Sequence, residues 1–334
     1  MRITALACVL LGSLGAWAAP CITATPACTE WVSFNGGPAR SLFYRTYSLE
    51  ARNPGITRAL IMVHGAGRDA DNYFRTAVAA AFLAGSLDDT IVISLRFASN
   101  DGRGCRDTLA PNEVSWSCSG DSWRSGGVAS TDDRLTSYDF ADEILRKLAR
   151  KEHFPSLKAI VVAGHSAGGQ YVTRYEMSNQ IHDTLGIPIT YVVANPSSYA
   201  YLDPARPAAD GSDFRPYPDG RNCTTYDKWP YGLQGRTAGY TAKLSDDQLK
   251  KQLVARPVTY LLGEIDILPL GGFDSSCPAM AQGPTRLARG QAFGKYVNQK
   301  YGAQHKVVVV PLCGHNARCM FTAEAALPVI FPKQ

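Results

Sequence analysis

Residues 159–172 read AIVVAGHSAGGQYV. A β-branched run, Ile160-Val161-Val162, stops at Gly164-His165-Ser166-Ala167-Gly168, and a helix-compatible segment follows. A short apolar run of this kind suits a buried strand. A serine at the tip of so sharp a strand-to-helix turn sits in a strained backbone, with its hydroxyl exposed for attack. Residues two before and two after it must be small, because strand and helix converge there. Gly164 and Gly168 meet that demand, and Gly169 lets the helix pack closely on the sheet. The competing reading is a plain turn whose serine caps the helix. The strand before and the helix after favour Ser166 as a nucleophile.

Outside this stretch, short apolar strands alternate with helices. Strand patterns lie at 60–63, 91–95, 189–193, 258–262 and 307–310, and helical patterns at 71–83, 138–151, 246–253 and 287–301. Near the start, 31–34 and 41–47 flank Asn35-Gly36-Gly37-Pro38 and read as a hairpin. The expected fold class is α/β: a mostly parallel central sheet with helices on both faces and an antiparallel N-terminal hairpin at one edge. No internal repeat is visible.

The 334 residues are 45% hydrophobic and 19% charged, an ordinary globular composition. Residues 1–18 read as a secretory signal peptide, with Arg2, an apolar run over 3–14 and Ala16-Trp17-Ala18. That run is too short to span a bilayer, and no later segment reaches the length for a transmembrane helix. The expectation is a single domain over 19–334, secreted or periplasmic. Cys8 falls in the leader, and the other eight cysteines suggest disulfides in an exported chain. Neighbour pairing gives Cys21–Cys28, Cys105–Cys118, Cys223–Cys277 and Cys313–Cys319. A metal site is disfavoured, because no C-x-x-C pair and no histidine cluster at ligand spacing occurs. The net charge of +5 comes from scattered residues, with no run suited to nucleic acid or membrane phosphates. Arg286 and Arg289 read as the start of an ordinary helix.

Two long interruptions stand out. Residues 98–130 are rich in Gly and Ser and carry Trp116 and Trp123. Residues 197–256 hold Tyr199, Tyr201, Tyr226, Trp229, Tyr231 and Tyr240, among other aromatics. Long loops in compact domains are functional or disordered. The second is expected to be a lid insertion over the site's mouth; the alternative is a peripheral insertion that its aromatics staple down.

A serine hydroxyl needs a histidine to take its proton, a carboxylate to orient that histidine, and N–H donors for the oxyanion. In chain order the three side chains should run serine, acid, histidine. After the last strand pattern the chain reads VVVVPLCGHNARC, which offers His315 between Cys313 and Cys319. His64 and His165 are motif neighbours with structural roles, His153 and His182 lie at helix ends, and His305 precedes the last strand. After the preceding strand, VTYLLGEIDILP offers Asp266 first and Glu264 second, with Asp274 a third option. The oxyanion donors are expected to be the N–H groups of Ala167 and Ala66, the latter in HGAGRDADNYF at 64–74, with Gly67 as alternative. This loop also matches G-x-G-x-x-A, a dinucleotide-binding pattern with Asp88 and Asp89 about 20 residues on. Those aspartates precede a strand instead of ending one, which argues against a nicotinamide site.

The motifs HGAG, GHSAGG, GEID and CGHN stand in that order, each after its own strand. On them the chain resembles the α/β-hydrolase superfamily from about residue 60 to 315. NPSSYAYLD at 195–203 and AQGPTRLARG at 281–290 are similar to a branch of exported members. The resemblance implies the fold and a serine-hydrolase mechanism without cofactor or metal. Cleavage of a carboxylic ester, small or polymeric, is the default reaction. A lipase or polyester depolymerase would use the same chemistry and would be favoured by an exposed apolar rim. A peptidase needs a terminus or side-chain pocket that the sequence does not display. A non-catalytic binding module is disfavoured by the intact serine, histidine and acid. Asn222-Cys223-Thr224 is a glycosylation sequon only in a eukaryotic secretory pathway. Oligomeric state has no signature in the sequence.

Overall fold

The apolar runs become the strands of one eight-stranded sheet. The computed structural model describes residues 19–332 apart from 103, 119–121 and 212; the expected leader and Cys8 lie outside the described residues. The strands are β1 (Thr29–Ser33), β2 (Arg40–Arg45), β3 (Arg58–Val63), β4 (Thr90–Leu95), β5 (Ala159–His165), β6 (Ile189–Ala194), β7 (Ala205–Pro207), β8 (Phe214–Pro216), β9 (Val258–Gly263) and β10 (Lys306–Val310). The main sheet has the order β1-β2-β4-β3-β5-β6-β9-β10, and β7 and β8 form a separate antiparallel pair. β1 pairs antiparallel with β2, and β2 with β4; every other pairing in the main sheet is parallel. The N-terminal hairpin therefore sits at the edge, as expected.

The helices are α1 (Ala70–Leu83), α2 (Ser137–Leu148), α3 (Ala167–Ser178), α4 (Asp246–Ala255), α5 (Cys277–Met280), α6 (Arg286–Tyr301), α7 (Ala317–Thr322) and α8 (Leu327–Ile330). Successive strand residues point to opposite faces. Ile61, Val63, Ile160 and Val162 join a core with Phe140, Tyr171 and Phe293 of α2, α3 and α6. Leu60, Met62, Val161 and Ala163 join a second core with Phe74 of α1, Phe321 of α7 and Ile330 of α8. Burial on both faces explains why the central strands read as unbroken apolar runs. β3, β5, β6, β9 and β10 all end at the same edge, and the loops leaving that edge carry the candidate site residues.

All four expected cysteine pairs lie at disulfide distance, with Cα separations of 5.4, 5.7, 5.8 and 5.7 Å in chain order. Several aromatics of the two long segments pack inward. Trp116 and Trp123 are buried in the core beside Phe97, at ring separations of 5.7 and 5.1 Å. Tyr199 and Tyr201 of the 197–256 segment pack on Phe293 of α6, at 4.5 and 5.1 Å. Trp229 Nε1 donates to the Ser125 carbonyl at 3.1 Å. β7 and β8 escaped the sequence reading because three residues are too few to display a two-residue period, and each ends in a proline.

Candidate active site

Ser166 links β5 to α3 with φ 59° and ψ −119°, a backbone strained for a residue with a side chain. The crossing of strand and helix is tight enough that a Cβ at Gly164 would strike the Gly168 carbonyl, and one at Gly168 the Val63 carbonyl. The spacing of the motif is thus a steric requirement of this turn. The strain leaves Ser166 Oγ 2.9 Å from His315 Nε2.

His315 lies in the loop after β10, which the Cys313–Cys319 pair closes over six residues. Its Nδ1 is 2.8 Å from Asp266 Oδ2. Asp266 follows β9 and is 2% exposed. Of the other acids weighed, Glu264 is exposed and accepts the Leu312 N–H at 2.8 Å, and Asp274 accepts the Tyr231 hydroxyl at 2.8 Å. Glu264 thereby fastens the acid-bearing loop to the histidine-bearing one. Asn195, at the end of β6, ties the same region: its Oδ1 accepts the Gly263 N–H at 2.8 Å and its Nδ2 donates to the Gly314 carbonyl at 3.2 Å.

Arg286 and Arg289 depart from the expected ordinary helix start, since both are fully buried. Arg286 donates to Asp266 Oδ1 at 3.4 Å, to Ser197 Oγ at 2.8 Å and to the Gly271 carbonyl at 3.0 Å. Burial pulls the Arg286 pKa below its ordinary value, and Asp266 opposes that shift. Arg289 donates to the carbonyls of Ser197, Gly283 and Asp274. An Arg-x-x-Arg spacing at a helix start carries no sign of burial, so sequence reading passes over both.

Of the expected oxyanion donors, Ala167 directly follows Ser166 and Ala66 lines the same cleft. Ala167 opens α3, so its N–H has no acceptor within its own helix. Ala66 lines a cleft of about 720 Å³ together with Ser166, His315, Gly67, Gly271 and Gly272. None of the described residues lining this cleft comes from 197–256, the segment expected to lid it. Aromatic side chains gain most by full burial, and those of Tyr199 and Tyr201 are spent on the core instead.

Four of the remaining histidines, His64, His153, His182 and His305, have structural partners. His64 is buried, its Nδ1–H donates to the Gly65 carbonyl at 2.8 Å and its Nε2 accepts the Phe97 N–H at 3.2 Å. Burial lowers its pKa to about 4, so it is neutral at neutral pH. His153, His182 and His305 bond Leu49, Tyr191 and Leu253 respectively, away from the cleft. Asp89 precedes β4 and pairs with Arg58 at 2.7 Å, at the opposite end of the strands from a ribose-binding acid.

No curated protein matches the chain. Among solved structures, the chain is similar to a poly(3-hydroxybutyrate) depolymerase from Bordetella parapertussis, with 21% identity, a TM-score of 0.62 and coverage of 90% of this chain and 87% of that one. It is also similar to poly(aspartic acid) hydrolase-1 from Sphingomonas sp. KT-1, with 22% identity, a TM-score of 0.61 and coverage of 91% and 98%. At that identity the likeness is one of fold. The pattern of the alpha/beta hydrolase family matches residues 60–327. With the eight-stranded sheet and the strand-turn-helix at Ser166 already in place, the match over most of the chain makes this protein a member of the alpha/beta hydrolase family.

Proposed function

We propose that this chain is a secreted or periplasmic serine hydrolase of carboxylic esters, with Ser166 as nucleophile, His315 as base and Asp266 as the orienting acid. The observation that carries the reading is the unbroken hydrogen-bonded relay from Ser166 Oγ to His315 Nε2 at 2.9 Å and from His315 Nδ1 to Asp266 Oδ2 at 2.8 Å. Four cysteine pairs at disulfide distance support an oxidising compartment, consistent with the leader read at 1–18. Residues 19–334 are read as one domain, with 197–256 as an insertion, the segment expected to form a lid.

In this mechanism Ser166 Oγ attacks the ester carbonyl carbon while His315 Nε2 takes its proton. Asp266 accepts the Nδ1–H bond of the resulting imidazolium. The carbonyl oxygen, now negative, accepts hydrogen bonds from the Ala66 and Ala167 N–H groups, each worth about 3–4 kcal/mol in the transition state. Collapse breaks the bond to the alkoxy oxygen, which leaves as the alcohol with the proton from His315. Water then attacks the acyl-enzyme, gives its proton to His315, and the carboxylic acid departs as Ser166 recovers its proton. No cofactor enters any step.

The test is hydrolysis of p-nitrophenyl esters from acetate to palmitate. Wild type is expected to turn over, and Ser166→Ala to lose at least about 10⁴-fold in kcat. Turnover by Ser166→Ala near the wild-type rate would defeat the assignment.

A second reading, a large or aggregated ester as substrate, is favoured by the rim of the cleft. Ile265, Ile267, Leu268, Leu270 and Leu312 are between 50% and 80% exposed. They lie on the two loops that carry Asp266 and His315, next to Gly271 and Gly272 of the cleft wall. Exposed apolar residues scattered singly mean little, but five on one rim mark an interaction surface. The same fold carries a depolymerase of poly(3-hydroxybutyrate), a polymeric ester. Replacing Leu268 and Leu270 together by serine is expected to cut hydrolysis of an emulsified or solid polyester several-fold while leaving p-nitrophenyl acetate within twofold. Equal loss on both substrates would assign those leucines to structure.

A further inference from the structure

Tyr73 is not used by the mechanism above, yet its side chain lines the same cleft as Ser166 and His315. It projects from the first turn of α1, just after the HGAG loop. Its hydroxyl stands at a revealing place. A Cβ built on Gly65 would lie 2.8 Å from Tyr73 Oη and 3.7 Å from Ser166 Cβ, so the Tyr73 hydroxyl and the Ser166 side chain border the same small space. The motif glycine at 65 is therefore required partly because the Tyr73 hydroxyl occupies the space a side chain would need.

The direction of the Tyr73 proton follows from its partner. Tyr73 Oη is 3.0 Å from His165 Nδ1. His165 is buried, and its Nε2 has no hydrogen-bond partner among the described residues. Burial, followed by the nearby His315 and Arg286, pushes the His165 pKa well below its ordinary value, so the ring is neutral and carries one N–H. Placing that N–H on Nε2 would bury a donor without an acceptor, an arrangement native proteins avoid more strictly than an unpaired acceptor. Placing it on Nδ1 spends it on the Tyr73 oxygen. The Tyr73 oxygen is then the acceptor of that bond, and its own O–H stays available to the cleft. Burial also raises the Tyr73 pKa, which keeps the phenol protonated.

We propose that the Tyr73 hydroxyl is a third donor to the substrate carbonyl oxygen as it becomes negative, beside the Ala66 and Ala167 N–H groups, and that His165 is the positioning residue that aims it. This inference rests on Ser166 being the nucleophile. It gives a function to the residue before the serine, which the sequence motif leaves unassigned. The Tyr73 donor is oriented before substrate arrives, so it stabilises developing charge without reorganising. The ring of His165 also lies 4.6 Å from that of His315, centre to centre, and a neutral ring there avoids placing a second cation beside the imidazolium formed during acyl transfer.

Tyr73→Phe removes only the hydroxyl. The expected result is a fall of about 10–100-fold in kcat on p-nitrophenyl butyrate with KM within threefold. Inhibition by n-butylboronic acid, which forms a tetrahedral adduct on the serine, is expected to weaken in parallel. A kcat and a boronate affinity both within twofold of wild type would overturn the proposal. Fluorophosphonate labelling separates the two readings: if both proteins label at Ser166 and the rates are equal, only the Tyr73 role falls; if wild type does not label, the nucleophile reading falls and takes this one with it. A second readout avoids mutation altogether. Nitrogen-15 spectra of the wild-type His165 ring are expected to show the proton on Nδ1, and a proton on Nε2 would contradict the proposed aim of the Tyr73 hydroxyl.

Discussion

Asp266 is a buried carboxylate whose charge is balanced by Arg286, itself fully buried. Removing one member of such a pair leaves the other charge uncompensated, at a cost of about 3–5 kcal/mol. Arg286 also holds the Gly271 carbonyl and Ser197, so it fixes the loop that runs from the acid to the cleft wall. Arg286→Met is expected to lower kcat/KM on a soluble ester at least about tenfold and to lower the thermal midpoint. Arg286→Lys is expected to recover only part, because an ammonium cannot span three separated acceptors as the planar guanidinium does. Wild-type kcat/KM in the methionine variant, measured alongside its thermal midpoint, would remove Arg286 from the account. The contrast with Ser166, Asp266 and His315 explains what was readable. The proposed reaction demands those three in one chain order, each after an apolar strand, so the sequence exposes them as candidates. Arg286, Asn195 and Tyr73 act through contacts across 20, 119 and 92 positions, and no local pattern encodes such a meeting.

At the scale of elements, α2 and α3 are clasped to the 197–256 segment by one acid. Asp142 of α2 accepts the Tyr175 hydroxyl of α3 at 2.6 Å and the Tyr240 hydroxyl at 2.8 Å. Burial raises the Asp142 pKa from 3.8 to about 6, against the opposing effect of the two tyrosine bonds and Arg146. The folded form therefore binds this proton more tightly than the unfolded chain does. Its contribution to stability is complete below about pH 4 and is lost as pH rises through about 6. Thermal unfolding of wild type between pH 4 and 7 is expected to include this decline, and Asp142→Asn is expected to flatten it. An identical pH dependence in the two proteins would contradict the assignment. The helices themselves were legible, since α2 carries Phe140, Ile144, Leu145 and Leu148 on one face. The destination of the insertion's aromatics was not. An aromatic-rich loop reads the same whether it covers a cleft or is packed into a core, and Tyr199 and Tyr201 take the second course.

For the whole molecule, the parallel sheet was legible because strands buried on both faces leave unbroken apolar runs such as Ile160-Val161-Val162. Five of the parallel strands, β3, β5, β6, β9 and β10, lead at one edge into the HGAG loop, the Ser166 turn, Asn195, the Asp266 loop and the His315 loop. The exposed rim at 265–270 and Leu312 is a property of this assembly and could be anticipated only as a condition on substrate size. The proposed function requires that this edge hold a nucleophilic serine activated by His315. Labelling of the purified protein with a fluorophosphonate probe, read by intact mass and peptide mapping, tests it most directly. One adduct is expected, on Ser166, absent in Ser166→Ala and strongly slowed in His315→Ala. A folded wild-type protein that takes no label, or takes it at a different residue, would contradict it.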